Sequence, residues 1–127
     1  MKKRIVFITL SLEGGGAERI LSRLVHNLHN EFDITLVTFY KKGRYLEDLL
    51  SIPGLEYICL NGENGNTISF ALRLRRIIRK RTPSKVVSFL YYPNIVTYLS
   101  LIGLNTKFIL SERSNHRLYF TTSLKHK

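Results

Sequence analysis

Tryptophan is absent, and cysteine occurs once, at Cys59. A single thiol rules out an internal disulfide framework and a multi-cysteine zinc site, and it fits a reducing compartment, with the cytoplasm as the default. Acidic residues are scarce. Nine Asp and Glu stand against 20 Lys and Arg, a formal charge of +11, which favours anionic partners such as nucleic acid, phosphates or an acidic lipid surface without choosing among them. Long apolar runs are missing as well. Ile95 to Leu104 is roughly half of the ~20 residues that span a bilayer. Ile5 to Leu10, preceded by Met1-Lys2-Lys3-Arg4, is short and meets Glu13 and glycines where a signal peptide needs a cleavage site. Neither a transmembrane segment nor a signal peptide is expected, and there is no internal repeat or low-complexity linker.

What is present fits one packed domain: 127 residues, 44% hydrophobic and 23% charged. Ile5-Val6-Phe7-Ile8-Thr9-Leu10 is a nearly continuous β-rich run ended by glycines, the pattern of a strand buried on both faces of a parallel sheet. From Ala17 the period changes, with Ile20, Leu21, Leu24, Val25 and Leu28 at helical spacing. Ile34 to Phe39 reads as a second strand and Leu55 to Leu60 as a third, with a short helix around Tyr45 to Leu50 before Pro53-Gly54. After the polar turn Asn61 to Asn66 comes a cationic helix from about Ile68 to Lys80, closed by Pro83. Val86 to Leu90 predicts a fourth strand, Pro93 to about Ile102 a mostly apolar helix, and Phe108-Ile109-Leu110 the core of a fifth strand.

Strands alternating with helices imply right-handed parallel crossovers and an α/β class. The expected architecture is a Rossmann-like doubly wound parallel sheet of about five strands in the order 3-2-1-4-5, whose ligands bind beyond the carboxyl ends of strands one and four. Three polar clusters then share that edge: Ser11 to Arg19, Tyr91-Tyr92-Pro93-Asn94, and Ser111-Glu112-Arg113-Ser114-Asn115.

The first cluster contains Gly14-Gly15-Gly16-Ala17, a glycine loop running into a helix. Such a loop brings backbone N–H groups and the positive helix terminus to a phosphate or carboxylate, though it equally suits a plain strand-to-helix turn. A dinucleotide fingerprint would need glycine at Arg19 and an acid where Tyr40-Lys41-Lys42 stands, so NAD is disfavoured. Lys41, Lys42 and Arg44 keep open an alternative, a small Rossmann-like module binding NADP or another phosphorylated ligand without catalysis. No Walker loop occurs.

At these residues the sequence resembles the N-terminal half of retaining GT-B glycosyltransferases of glycosyltransferase family 4. The resemblance rests on Ser11-Leu12 through Gly14-Gly15-Gly16-Ala17-Glu18-Arg19, on Ile34 to Thr38, on Val87 to Leu90 with Asn94, and on Ser111 to Asn115. Gly15-Gly16-Ala17-Glu18-Arg19 after a first strand, with Ser111-Glu112-Arg113 after a fifth, looks characteristic of members that build bacterial surface polysaccharides and glycans. The resemblance implies transfer of a sugar from a nucleotide diphosphate donor to a glycan or lipid-linked acceptor, without a resident cofactor or metal. It further implies a single partial acceptor-side domain over 1–127, with the donor-binding domain lying elsewhere and this piece inactive alone. The glycine loop Gly14, Gly15, Gly16 and Ala17 would face the donor diphosphate. Glu18, Arg19, Tyr91, Asn94, Ser111 and Asn115 would line the acceptor side or the cleft. Glu112 and Arg113 are the candidates for catalysis. Many relatives carry a histidine near the end of the fifth strand, and that role is not transferred to His116.

Arg73, Arg75, Arg76, Arg79, Lys80 and Arg81 crowd one helix, and Lys85 follows. Arg73, Arg76, Arg79 and Lys80 are candidates for contact with an anionic membrane, the alternative being a solvated outer face. Such contact would place the protein in the cytoplasm, peripheral on the inner face of the cytoplasmic membrane. Nucleic-acid binding ranks last, because no recognisable motif accompanies the charge. His26 and His29 suit surface or cap roles, since no third metal ligand is apparent. Cys59 suits a core gap, and Phe7, Phe39, Phe70, Phe89 and Phe108 suit core packing. If the apolar fifth strand forms an uncovered edge, the isolated chain should self-associate.

Overall fold

The computed structural model describes residues 2–13, 15–61, 65–112 and 117–121. Along the chain run β1 (Lys3–Thr9), α1 (Gly16–Leu28), β2 (Phe32–Thr38), α2 (Leu46–Leu50), β3 (Glu56–Cys59), α3 (Thr67–Arg81), β4 (Lys85–Phe89), α4 (Tyr91–Leu101), β5 (Phe108–Glu112) and β6 (Arg117–Thr121). The sheet has the order β3-β2-β1-β4-β5-β6. Every pairing is parallel except β5 with β6, which is antiparallel. The doubly wound 3-2-1-4-5 arrangement expected from the sequence is therefore present.

Two expectations are corrected. Arg117-Leu118-Tyr119-Phe120-Thr121 forms a sixth strand along β5, from Phe108 opposite Thr121 to Glu112 opposite Arg117. The fifth strand is thus paired on both sides, and the premise for self-association through its edge falls. The second correction is that α4 starts at Tyr91, two residues before the expected Pro93, so that Tyr91-Tyr92-Pro93-Asn94 is its first turn.

β1 is central because it is apolar on both faces. Phe7 and Ile5 pack with Leu21 and Val25 of α1, Leu36 of β2 and Leu49 of α2. Val6 and Ile8 turn to the other face and meet Phe70 and Leu74 of α3 and Val96 of α4. Phe7, Phe39, Phe70, Phe89 and Phe108 are all buried, as their positions predict. Phe39 anchors its layer, with the Phe70 ring edge-on at 5.1 Å and the Tyr92 ring tilted at 5.5 Å. α3 begins where the Asn66 side chain accepts from the Ser69 N–H at 2.9 Å, a conventional N-cap. It ends at Thr82, which takes the left-handed conformation more often given to glycine.

Candidate functional site

The carboxyl ends of β1, β4 and β5 lie side by side where the winding of the sheet reverses, the position at which α/β folds bind ligands. The β1–α1 loop is held by backbone contacts to the β2–α2 loop. Leu12 N–H donates to the Lys42 carbonyl at 2.9 Å, and Tyr45 N–H donates to the Leu12 carbonyl at 3.1 Å. Gly43 makes this approach possible. A Cβ there would stand 1.9 Å from the Leu12 carbonyl carbon, and its φ is +130°. Sequence reading passed over Gly43, since a lone glycine among lysine and arginine looks like any solvated turn.

Gly15 is the N-cap of α1, in extended conformation and without a side-chain cap. Gly16, Ala17 and Glu18 follow as the first helical residues, whose N–H groups have no partner within a helix and carry its positive end. Gly14 lies outside the described residues. Glu18 is buried although charged, 8% exposed. Its carboxylate folds back over the N-cap, so that a Cβ on Gly15 would lie 2.5 Å from Oε1. Arg19 is exposed, and its N–H donates to the Gly15 carbonyl at 3.0 Å.

At the end of β4, Leu90 adopts φ 79° and ψ 158° before α4 starts. A branched side chain disfavours that backbone by about 1–3 kcal/mol, so its surroundings must impose it. They do so through Ser111, whose carbonyl accepts from Leu90 N–H and from Asn94 Nδ2, each at 3.0 Å. Asn94 thereby clamps the end of β5 to the first turn of α4, one residue before Glu112. Its Oδ1 is buried and finds no hydrogen-bond partner among the described residues, as is also true of Thr9 Oγ1, Ser88 Oγ and Thr97 Oγ1. Tyr91, by contrast, is 70% exposed and lies in solvent. Glu112 ends β5. Its side chain, with Arg113, Ser114, Asn115 and His116, lies outside the described residues.

Gly16, Ala17, Phe89 and Ser111 also form the upper end of a groove of about 580 Å³ between α1 and the β4–β5 half of the sheet. Lower down its walls are almost wholly apolar, including Leu24, Val87 and Ile109. The edge of the sheet therefore offers polar backbone groups above an apolar channel.

No protein-family model matches the chain. It is similar to a glycosyltransferase. That protein, from Campylobacter jejuni, is named GalNAc-alpha-(1->4)-GalNAc-alpha-(1->3)-diNAcBac-PP-undecaprenol alpha-1,4-N-acetyl-D-galactosaminyltransferase, and it is 30% identical over 117 residues, covering 88% of this chain. The chain spans 33% of the length of that relative.

The remaining sequence candidates separate into used and free groups. Arg73 Nη1 donates to the Leu60 carbonyl at 2.5 Å, Arg75 donates to the Ser100 and Ile102 carbonyls at the end of α4, and Arg81 pairs with Glu56. Arg76, Arg79 and Lys80 are exposed. Of the NADP alternative's residues, Lys42 lies 3.6 Å from Glu13, and Arg44 sits over the Tyr45 ring at 5.8 Å. His26 pairs with Asp48 at 2.6 Å, and His29 is the C-cap of α1. Cys59 is half-buried, with Sγ 3.6 Å from the Phe39 carbonyl. Beside it, burial holds the Tyr57 hydroxyl above the ordinary pKa of 10.0, although its 2.6 Å hydrogen bond with Thr38 Oγ1 pulls the other way.

Proposed function

We propose that this chain is the acceptor-side part of a retaining GT-B glycosyltransferase of glycosyltransferase family 4. On this reading it moves a sugar from a nucleotide diphosphate sugar to a glycan or lipid-linked acceptor in bacterial polysaccharide or glycan biosynthesis. The observation that carries it is the 30% identity across 88% of the chain to a transferase named for an undecaprenol-linked substrate. The site supports it chemically. Breaking a glycosyl phosphate bond places negative charge on the departing diphosphate, and preorganised donors stabilise such charge best. The glycine-bounded start of α1 is a terminus of that kind, fixed against Gly43 and Leu12. Glu112 and Arg113 remain the residues to substitute in search of catalysis, and Asn94, bonded to the Ser111 carbonyl, belongs to the acceptor side or the cleft. No metal is required for this chemistry. The protein would work at the inner face of the cytoplasmic membrane, where a donor nucleotide and a lipid-linked acceptor meet, and this part alone would not turn over.

The test is to exchange the matching segment of the Campylobacter relative for this chain and to measure transfer from a panel of nucleotide sugars to a lipid-linked acceptor. Transfer above the level of the relative lacking the segment is expected. A folded, soluble chimera that transfers no sugar from any donor overturns the proposal. Saturable NADP binding by the 127-residue chain would overturn it in favour of the non-catalytic module.

A further inference from the structure

α4 is an unusual surface helix. One stripe of it packs on the sheet through Pro93, Val96, Ser100 and Leu101. The opposite stripe is Tyr91, Ile95, Tyr98, Leu99 and Ile102, every one 37–70% exposed. The spacing of that stripe is helical, so these side chains form one continuous outer face. α4 contains no charged residue, so its solvent side is nearly as apolar as its core side.

The neighbouring helix extends the same surface. α3 packs alongside α4, and Arg75 joins them by donating to the carbonyls at the end of α4. Ile68 and Leu72 stand exposed at 71% and 60% near the start of α3, with Arg76, Arg79 and Lys80 exposed further along. From Asn64 to Ser111 the sequence has no Asp or Glu, yet it contains Arg73, Arg75, Arg76, Arg79, Lys80, Arg81, Lys85 and Lys107. An apolar stripe bearing two tyrosines beside a basic, acid-free helix matches the interfacial layer of an anionic bilayer, where apolar groups and tyrosine rings enter and cations meet headgroups.

We propose that the α3–α4 face docks on an anionic lipid bilayer, with α4 as the inserting element and Arg76, Arg79 and Lys80 as its electrostatic contact. The basic helix alone does not make this surface, because three of its arginines are committed to carbonyls or to Glu56. A second copy is a poor occupant, since pairing would oppose two basic faces. The inference depends on the proposed transferase only in giving its lipid-linked acceptor a place beside the site, and the surface itself is argued independently of transfer.

The absence of tryptophan permits a direct readout. Tyr98→Trp introduces the sole indole, and phosphatidylcholine vesicles with or without phosphatidylglycerol, free of any lipid-linked sugar, serve as the probe. Expected are co-sedimentation and a blue-shifted emission with the anionic vesicles only. Arg76→Glu with Arg79→Glu should weaken partitioning about tenfold or more. Ile95→Ser with Leu99→Ser should weaken it several-fold with unchanged far-UV circular dichroism. No binding, binding indifferent to these substitutions, or a blue shift that grows with protein concentration in the absence of vesicles each overturns the proposal. Vesicle binding together with an inactive chimera would leave this surface standing and remove the transferase reading. Transfer by a chimera that ignores vesicles would do the reverse.

Discussion

Replacing Gly43 with alanine tests how the β1–α1 loop is held. Two effects add. The residue sits at φ +130°, a region that costs any L side chain about 1–3 kcal/mol. The new Cβ would also stand 1.9 Å from the Leu12 carbonyl carbon, 2.2 Å from its oxygen and 2.3 Å from Glu13 N. Those neighbours are backbone and cannot rotate aside. Restoring even a tight contact of roughly 3.4 Å requires the two loops to part by about 1.5 Å. The 2.9 Å Leu12 N–H to Lys42 bond and the 3.1 Å Tyr45 N–H to Leu12 bond do not survive that separation. Each contributes about 1 kcal/mol net, so the total loss is about 3–5 kcal/mol, a large part of the 5–15 kcal/mol typical of a domain. Gly54→Ala is the control. Gly54 also has positive φ, at +81°, but nothing lies within 4 Å of the added carbon, so only about 1–2 kcal/mol is expected. Urea unfolding followed by circular dichroism gives both values. Equal midpoints for the two variants would refute the claim that the close approach of the loops, rather than backbone angle, demands glycine at 43.

Further outcomes follow from other contacts. Asn94→Ala should cost only about 1 kcal/mol, since the Ser111 carbonyl keeps the Leu90 N–H, whereas Asn94→Asp should cost several-fold more by setting a half-buried carboxylate against that carbonyl; similar losses would show that the amide is no clamp. Phe39→Ala should destabilise by about 3–5 kcal/mol, because it empties the space shared with Phe70 and Tyr92. Burial raises the pKa of Tyr57 in the folded state above 10.0, so its contribution to stability is complete below pH 10.0 and is lost as pH rises through the folded value. Tyr57→Phe should flatten that alkaline loss, and tyrosinate absorbance should show one phenol fewer titrating late.

The sheet order was legible because the first four strands and the cationic helix carry strong, unmixed periodicity bounded by glycine, proline or polar turns. Arg117 to Thr121 was not, since five residues of mixed character acquire strand geometry only by pairing with β5. The helix at Pro93 was legible because proline is at home in a first helical turn, but its start two residues earlier was not, since the sharp reversal is taken by Leu90. The site's glycine loop and its edge could be read locally. Gly43 could not, because its reason is a backbone thirty residues earlier. The arginines of α3 show the same limit. Spacing marks all of them as cationic, and only packing reveals that Arg73 and Arg75 are spent on carbonyls while Arg76, Arg79 and Lys80 remain in solvent.

The buried hydroxyl of Thr9 separates two accounts of the sheet edge. It lies at the carboxyl end of β1, fully buried, with Oγ1 unpartnered among the described residues. A buried hydroxyl without a partner costs about 1–3 kcal/mol. Valine has nearly the same shape and no such group. If Thr9 contributes packing alone, Thr9→Val should stabilise the fold by about 1 kcal/mol or more, read as a higher urea midpoint with an unchanged slope. The neighbouring Thr38 gives the contrast, because its hydroxyl donates to the Tyr40 carbonyl at 2.9 Å and meets the Tyr57 hydroxyl at 2.6 Å. Thr38→Val should therefore destabilise, leaving both partners short of a bond. A Thr9→Val variant as destabilised as Thr38→Val would mean that the β1 hydroxyl is engaged after all, and that the strand end beneath the glycine loop is a polar junction instead of a packed one.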